Sequence, residues 1–170
     1  MCFFCQAEDG IRDLVRSRGL GDVYKRQPLP LQQTAITLPF RWDAQSPLVG
    51  LKTLNYLPQV LGRQAALAAG ADEGIFLNHT DNLVEGCASN LFWLQDNLLY
   101  TPALTCGPLP GITRAIVLTL ASALGLSVCE GAFSQSHLAA ADEAFLTNSC
   151  LLYTSPSPRD RTRSRMPSSA

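Results

Sequence analysis

Residues 50–58 read G-L-K-T-L-N-Y-L-P, and this stretch decides how the rest of the chain is interpreted. Its lysine, Lys52, is the only lysine between residues 28 and 149. Soluble domains ordinarily carry several lysines on their surface. A single lysine between apolar neighbours therefore indicates a position where a primary amine is needed, although the tripeptide alone also fits a surface lysine at the end of a strand.

The composition divides the chain into a middle and two ends. Residues 28–149 carry four basic and nine acidic side chains, net −5, whereas the ends carry nine basic and five acidic side chains, net +4. The middle alternates strand-like and helix-like patterns, and no apolar run reaches the roughly 18 residues of a membrane span. A basic end is typical of a nucleic-acid arm, and that alternative predicts loss of affinity when residues 1–27 and 150–170 are removed.

Both ends resemble the translation of a sequencing-library adapter. Residues 6–27 are similar to one strand of such an adapter, and residues 151–170 are similar to the same adapter read on the opposite strand. One short index and its reverse complement can encode the variable spacers of the two ends. We therefore exclude residues 1–27 and 150–170 from the fold and expect them to lack regular structure. We expect the middle, residues 28–149, to be a fragment of a longer protein.

Cysteine and histidine usage in the middle predicts no metal centre. Cys87, Cys106 and Cys129 lack metal-ligand spacing, so neither a zinc site nor a disulfide framework is expected. Unpaired cysteines suit a reducing cytoplasm, where we expect the protein to reside. His79 falls in a predicted turn and His137 on a short polar helix, and we expect both to be solvated rather than catalytic.

Periodicity predicts an alternation of strands and helices. Gly70 and Gly125 are predicted to end the two longer helices. The predicted strands lie at residues 33–40, 74–78, 83–85, 90–94, 98–101, 126–131 and 143–149, and the helices at residues 56–69, 112–124 and 135–141. The longer helices are expected to pack through apolar residues at three- and four-residue steps, which are Leu57, Val60, Leu61, Ala65 and Ala68 in one and Ile112, Ile116, Val117, Leu120 and Leu124 in the other.

Three features of the middle converge on one chemistry. Lys52 is an isolated amine, and a predicted hairpin delivers the carboxylate of Glu85. At residues 111–113, Gly-Ile-Thr places unpaired N–H groups and a hydroxyl at a helix start, where phosphate binds favourably, although a plain helix cap explains the same residues. Pyridoxal phosphate requires a lysine Schiff base, an acid partner for its ring nitrogen and a phosphate cup.

The middle resembles the class IV aminotransferases, the fold type IV pyridoxal phosphate enzymes, through four motifs in order. They are G-L-K-T-L-N-Y-L from residue 50, V-E-G-C-A-S-N-L-F-W from residue 84, L-P-G-I-T-R from residue 109 and A-D-E-A-F-L-T-N-S from residue 141. The resemblance implies an α+β fold, the C-terminal domain of the D-amino acid aminotransferase-like enzymes. We expect an incomplete mixed sheet, or half-barrel, with flanking helices.

The resemblance also implies the site residues. Lys52 would be catalytic, forming the Schiff base and then moving the α-proton of the substrate, a role that needs burial. Glu85 would keep the ring nitrogen protonated. The other implied cofactor contacts are Tyr56 near the ring hydroxyl, Leu109 on the ring face, Ile112 and Thr113 at the phosphate, Ser149 as a second hydroxyl, and Asn90, for which a structural turn is an equal alternative.

Within the family, C-A-S-N-L-F-W and L-T-N-S are more similar to aminodeoxychorismate lyases, which release pyruvate to give 4-aminobenzoate for folate, than to branched-chain or D-amino acid aminotransferases. Both reactions stay open, with an amino or keto acid or aminodeoxychorismate as substrate and no nucleic-acid or membrane partner. The family is dimeric, so the full-length form is expected to be a homodimer. Members of the family also have a smaller N-terminal domain, which supplies an arginine that binds the phosphate. The sequence does not allow Arg41 to be assigned this role. An inactive truncated fragment is therefore a further alternative.

Overall fold

The structure, a computed structural model, describes residues 34–148 and 152–155. Eight strands and three α-helices lie in these residues, together with a 3-10 turn at Leu104–Cys106. In chain order they are β1 Ala35–Trp42, α1 Leu57–Ala68, β2 Glu73–Asn78, β3 Leu83–Gly86, β4 Asn90–Gln95, β5 Leu98–Pro102, α2 Ile112–Ala123, β6 Ser127–Gly131, α3 Gln135–Ala139, β7 Glu143–Thr147 and β8 Leu152–Ser155.

The described strands form two sheets. In the first, β1 runs parallel to β2 and β2 runs antiparallel to β3. The second has the order β6-β5-β4-β7-β8, in which β5 and β6 are parallel and the other neighbours antiparallel. Parallel neighbours need a crossover connection. Accordingly, α1 lies between β1 and β2 in the chain, and α2 lies between β5 and β6.

The largest apolar core joins the two sheets. Leu77 and Leu83 from the first sheet pack with Trp93 and Leu146 from the second and with Leu138 of α3. Successive side chains of a strand point to opposite faces. Trp93 of β4 therefore enters this core, while its neighbour Phe92 lies on the other face and packs in a second cluster with residues of α2. The predicted alternation of strands and helices is confirmed.

The contact face of α1 differs from the predicted one. The helix buries Gly62 and Ala66, whereas Leu57 and Leu61 are 62% and 47% exposed. A Cβ atom added to Gly62 would lie 2.9 Å from both Cys87 Sγ and Leu38 Cδ1, so α1 approaches the first sheet too closely for a larger side chain. Small residues make this contact. Of the predicted apolar positions, Ala65 packs against the core of the first sheet, and the prediction was wrong for Leu57, Val60 and Leu61, which are exposed.

The second long helix shows the same departure. α2 buries Arg114 and Ala121, whereas Ile112 is 77% exposed and Ile116 and Leu120 are also exposed. Of the predicted apolar positions, Val117 packs against the second sheet. α2 therefore packs on the second sheet through Val117, Leu118 and Ala121, while Ile112, Ile116 and Leu120 remain exposed.

Both predicted helix stops are confirmed by backbone geometry. Gly70 follows α1 with φ +75°, and Gly125 follows α2 with φ +71°. The left-handed region favours glycine, because a Cβ atom there clashes with the backbone.

The expectation that residues 150–170 lack regular structure does not hold at β8. Residues 152–155 pair antiparallel with β7, from Thr147 opposite Leu152 to Ala144 opposite Ser155. The sequence L-Y-T-S contains an aromatic and a β-branched residue, which favour extended structure. The remainder of residues 150–170, and residues 1–27, lie outside the described residues.

His137 is not solvated as predicted. Its ring is half-buried and lies within 6 Å of Trp93, Tyr100 and Phe133, measured between ring centroids. The indole N–H of Trp93 donates to His137 Nδ1 at 3.1 Å. His79 is exposed in the turn after β2, as expected. No helix in the described residues has the length and apolar content of a bilayer span.

Candidate active site

Seven of the eight predicted site residues line one cavity of about 470 Å³. Its walls come from the end of β1, the loop between β1 and α1, the connection from β3 to β4, and the start of α2. The eighth residue, Ser149, lies outside the described residues. The seven lining residues are Lys52, Tyr56, Glu85, Asn90, Leu109, Ile112 and Thr113.

Glu85 is the buried acid of the cavity, with only 7% of its surface exposed. It lies on β3, and its Oε2 atom accepts hydrogen bonds from the Leu109 backbone N–H at 2.9 Å and from Asn90 Nδ2 at 3.3 Å. Burial raises the pKa of the Glu85 carboxyl to about 7, and the Leu109 hydrogen bond opposes part of that rise. A carboxyl with this pKa can hold or release a proton near neutral pH.

Asn90, whose role the sequence did not decide, connects Glu85 to the loop before α2. Besides its bond to Glu85, Nδ2 donates to the Leu109 carbonyl oxygen at 2.8 Å. A Cβ atom at Gly111 would lie 2.2 Å from Asn90 Oδ1, so only glycine fits beside this amide. Asn90 therefore joins the start of β4 to the loop before α2 and holds that loop against the acid.

Lys52 reaches the cavity from a loop, not from a helix or a strand. Gly50, at φ +76°, turns the chain two residues earlier. The lysine is exposed, in contrast to the burial that its implied role needs. It is the only lysine in the described residues, so no other primary amine of a side chain there competes with it.

Tyr56 precedes α1 and lines the same cavity. Partial burial raises the pKa of its phenol, and the negative charge of Glu85 raises it further. Tyr56 therefore stays protonated at neutral pH and can donate a hydrogen bond to a ligand. Cys87 also lines the cavity, and burial raises the pKa of its thiol to about 12, so it does not supply a thiolate nucleophile.

The start of α2 also lines the cavity. Gly111 is the N-cap residue with extended backbone, and Ile112 and Thr113 begin the helix. The Thr113 hydroxyl donates to the Asn148 carbonyl oxygen at 3.0 Å, which fastens the end of β7 to the helix start. The first N–H groups of a helix have no partner within the helix, and its dipole favours an anion there.

An aromatic wall, which the sequence analysis missed, consists of Phe40, Trp42 and Phe76. The Trp42 and Phe76 ring centroids are 5.0 Å apart, and Trp42 Nε1 donates to the Gly107 carbonyl oxygen at 3.0 Å. Phe40 and Trp42 stand two residues apart on β1, and that alternation was the available signal. Between them in sequence, Arg41 lines the cavity and pairs with Asp81 at 2.6 Å.

No group of three or more histidine, cysteine or acidic side chains in the described residues could hold a metal ion. Cys87, Cys106 and Cys129 are free thiols. The polar groups of the cavity include an amine, a carboxyl, a phenol, an amide and a helix start. This donor set suits an organic ligand with one anionic end and one basic ring atom better than it suits a cation.

A sequence profile for the family described as "Amino-transferase class IV" matches residues 21–155. The chain belongs to the class IV aminotransferase family. It is 35% identical over 127 residues to the aminodeoxychorismate lyase of Bacillus subtilis (strain 168), covering 75% of this chain and 43% of that protein. It is 41% identical over 93 residues to the branched-chain-amino-acid aminotransferase of Escherichia coli (strain K12), covering 55% of this chain and 30% of that protein.

The fold agrees with the family. The crystal structure of the branched-chain amino acid aminotransferase from Thermobaculum terrenum, in its PLP form, superposes with a TM-score of 0.68 at 32% identity, covering 72% of this chain and 41% of that one. The predicted α+β fold of this family is thereby confirmed. The chain spans less than half the length of these relatives.

Proposed function

We propose that this chain is part of a pyridoxal-phosphate-dependent enzyme of the class IV family. One observation carries the proposal, namely that the buried carboxyl of Glu85 and the amine of Lys52 line the same cavity as the start of α2. The amine, the acid and the anion-binding helix start match the aldehyde, the ring nitrogen and the phosphate of that cofactor, respectively.

The residues present fit the cofactor. The cavity, at about 470 Å³, lies within the range of roughly 300 to 1,000 Å³ that is usual for small-molecule sites. Both hydrogen bonds that Glu85 accepts from Leu109 and Asn90 end on Oε2, so Oε1 is the oxygen for a protonated ring nitrogen. Gly111 lets the Asn90 amide lie against the backbone at the start of α2, so the amide that contacts Glu85 also lies beside the proposed phosphate site.

Each of these residues would have a defined task. Lys52 would hold the cofactor covalently through its amine and carry the α-proton of the substrate. Glu85 would place its negative charge beside the ring nitrogen and keep a proton there, and that positive partner would in turn lower the pKa of Glu85. Tyr56 would donate to the ring hydroxyl, Leu109 would pack on the ring, and Ile112, Thr113 and Ser149 would bind the phosphate. When bound, the cofactor supplies an electron sink for the pair of electrons left on the substrate carbon.

We propose 4-amino-4-deoxychorismate as the substrate and pyruvate release as the reaction. The similarity to the Bacillus subtilis aminodeoxychorismate lyase and the string C-A-S-N-L-F-W support this choice. Transamination of branched-chain or D-amino acids is the alternative, and the 41% identity to the Escherichia coli branched-chain aminotransferase supports it. Both reactions need the same lysine and acid, so they are separated by their products.

The proposal includes a cytoplasmic homodimer for the full-length form. Apolar side chains beside the cavity mouth support a covered surface there, since Leu51, Leu54 and Leu57 are each more than half exposed. We also propose that residues 1–27 and 150–170 derive from an adapter and contribute nothing to the site. A chain shortened at both ends should then keep the cofactor affinity of the whole chain, apart from any effect of losing β8.

Covalent capture of the cofactor tests the first proposal. The chain is mixed with pyridoxal phosphate, its visible absorbance is followed, and borohydride reduction fixes any lysine-bound cofactor for peptide mass analysis. We expect the label on the peptide that contains Lys52, and loss of the absorbance band in Lys52→Ala. Lys25→Ala, the other lysine of the sequence, is the matched control. A label on Lys25, or a band that survives Lys52→Ala, contradicts the proposal.

Product analysis separates the two reactions. The full-length gene product is supplied with aminodeoxychorismate, and pyruvate is measured with a coupled reductase. In parallel it is supplied with branched-chain and D-amino acids and a keto acid acceptor. Pyruvate release without a keto acid supports the lyase. Keto-acid-dependent amino transfer without pyruvate release supports the aminotransferase.

A further inference from the structure

Buried polar atoms without a hydrogen-bond partner are concentrated around the cavity. Among the described residues, the unpartnered side-chain atoms include Gln59 Oε1, Ser89 Oγ and Thr147 Oγ1, and all three residues line the cavity. Leaving a buried hydroxyl without a partner is costly, and such groups in a folded protein call for an explanation. A ligand in the cavity would supply the missing partner.

Thr147 is the most buried of these residues, with 1% of its surface exposed. It is the last residue of β7 and lies directly opposite Asn90, the first residue of the neighbouring strand β4. Directly paired residues of neighbouring strands place their side chains on the same face of the sheet. Thr147 therefore lies beside the amide that holds Glu85 and Leu109.

The next residue brings Thr147 close to the start of α2. Asn148 accepts the hydrogen bond of the Thr113 hydroxyl through its carbonyl oxygen at 3.0 Å. The Thr147 hydroxyl is thus one residue away from a contact with the helix start. A hydroxyl at this place can donate to an anion held by the first N–H groups of α2.

We propose that Thr147 is a ligand-binding residue whose hydroxyl donates a hydrogen bond to a phosphate oxygen held at the start of α2. The inference rests on the proposed function, in which this phosphate is that of the cofactor. It adds to Ile112, Thr113 and Ser149 a hydroxyl that the sequence motifs did not indicate. It also accounts for a buried hydroxyl that has no partner among the described residues.

Thr147→Val tests the inference, because valine has nearly the same shape and no hydroxyl. In the ligand-free chain the variant should unfold at the same temperature as the wild type or higher, since an unpartnered buried hydroxyl is removed. Thr101→Val is the matched control. Thr101 is also 1% exposed, but its hydroxyl donates to the Leu91 carbonyl oxygen at 2.8 Å, so its loss should lower the unfolding temperature.

Binding is measured by titrating the whole chain with pyridoxal phosphate, with pyridoxal and with inorganic phosphate. Thr147→Val should lower the affinity for pyridoxal phosphate and for inorganic phosphate by about tenfold or more, as expected for the loss of one hydrogen bond to a charged group. Pyridoxal, which lacks the phosphate, should bind within about twofold of the wild type. Thr147→Ser should restore phosphate binding, and Thr101→Val should leave the ratio of the two pyridoxal affinities unchanged.

Several results would overturn the inference. If Thr147→Val lowered the affinities for pyridoxal and pyridoxal phosphate equally, the hydroxyl would not contact the phosphate. If the affinity for phosphate were unchanged, the hydroxyl would not contact the ligand. A fall in unfolding temperature as large as that of Thr101→Val would show that the hydroxyl is already bonded without ligand. If the wild type binds inorganic phosphate through Thr147 but neither form of pyridoxal, the proposed function fails and the inference stands. Absence of phosphate binding in every form would end both.

Discussion

Asn90 donates through the single nitrogen Nδ2 to the Leu109 carbonyl oxygen, at 2.8 Å, and to Glu85 Oε2, at 3.3 Å. The Leu109 N–H completes the arrangement by donating to the same Glu85 oxygen at 2.9 Å. The three residues come from β4, from the loop before α2 and from β3. One buried amide thus fixes the acid and the loop relative to each other, and the position of the cavity walls depends on it.

Asn90→Ala should lower the free energy of unfolding by about 1 to 3 kcal/mol, because the buried Glu85 carboxyl and the half-buried Leu109 carbonyl oxygen each lose a donor. It should also weaken pyridoxal phosphate binding, since the Leu109 loop is no longer held against Glu85. Chemical denaturation and cofactor titration measure the two effects. Asn55→Ala is the control, because Asn55 also lines the cavity but is exposed, and we expect a change within about 0.5 kcal/mol. Equal effects of the two substitutions would deny Asn90 this role.

Glu85 should make stability depend on pH between its two pKa values. Because the folded pKa of about 7 is above the 4.5 of a free glutamate, the folded chain binds more protons than the unfolded chain in this window. The stability contributed by protonated Glu85 is complete below pH 4.5 and is lost as the pH rises through 7. The loss is on the order of 3 kcal/mol.

Glu85→Gln should therefore match the wild type near pH 4.5 and exceed it in stability at pH 8. Urea midpoints measured across this range in ligand-free protein give the comparison. Asp96→Asn makes the same change of charge in an exposed turn and is the control for the loss of one carboxylate. Parallel profiles for Glu85→Gln would mean that the carboxyl is not desolvated in the folded chain.

The order of the strands and helices could be predicted from the sequence, and the contact faces of the helices could not. Alternation of apolar residues in a strand such as β4, and glycine after each long helix, are local signals that act wherever the chain lies. Which side of α1 touches the sheet depends on how closely the two approach. Gly62 carries no periodic apolar signal, although its lack of a Cβ atom allows that approach.

The site shows the same division. Lys52, Glu85 and Thr113 could be selected because their residue types and motif strings carry chemistry. Their roles stay predictions, while the structure adds that all three line one cavity. Thr147 could not be selected, because a hydroxyl becomes significant only when it is buried without a partner, and that is a property of the folded chain. The half-buried His137 was missed because its contacts with Trp93, Tyr100 and Phe133 arise only in the folded chain. The alternation of Phe40 and Trp42 on β1 was a signal for the aromatic wall that the prediction did not use.

Stability should depend more on the ion pair between the buried Arg114 of α2 and Glu130 of β6 than on the exposed pair near the cavity. Arg114 has 6% of its side chain exposed and lies 2.5 Å from Glu130, whose side chain is 45% exposed. Glu130→Gln leaves a buried guanidinium without its counter-charge, although the Pro102 carbonyl still accepts from it. We expect a loss of about 2 kcal/mol, less than for a fully buried pair.

Asp81→Asn is the matched control for this prediction. Asp81 pairs with Arg41 at the surface, and asparagine tolerates its φ of +58°, so the change should be below about 1 kcal/mol. Thermal unfolding of both variants in low and high salt gives the comparison. If Asp81→Asn lowered stability more than Glu130→Gln, the Arg41–Asp81 pair would be the more stabilising of the two, contrary to the prediction.

Gly62→Ala should destabilise the chain even though alanine favours helices. The new methyl carbon would lie 2.9 Å from Cys87 Sγ and Leu38 Cδ1 and 3.0 Å from Phe76 Cζ. Overpacking costs about 1 to 3 kcal/mol, and the helix propensity of alanine offsets about 1 kcal/mol, so we expect a net loss of up to about 2 kcal/mol. Gln64→Ala, at an exposed position of the same helix, should change stability by less than about 0.5 kcal/mol.

Because Cys87 supplies one of the close atoms, the loss of stability caused by Gly62→Ala should be smaller in a Cys87→Ala background, measured as a double-mutant cycle by urea unfolding. An undiminished loss in that background would mean that Leu38 and Phe76 alone set how closely α1 approaches the sheet.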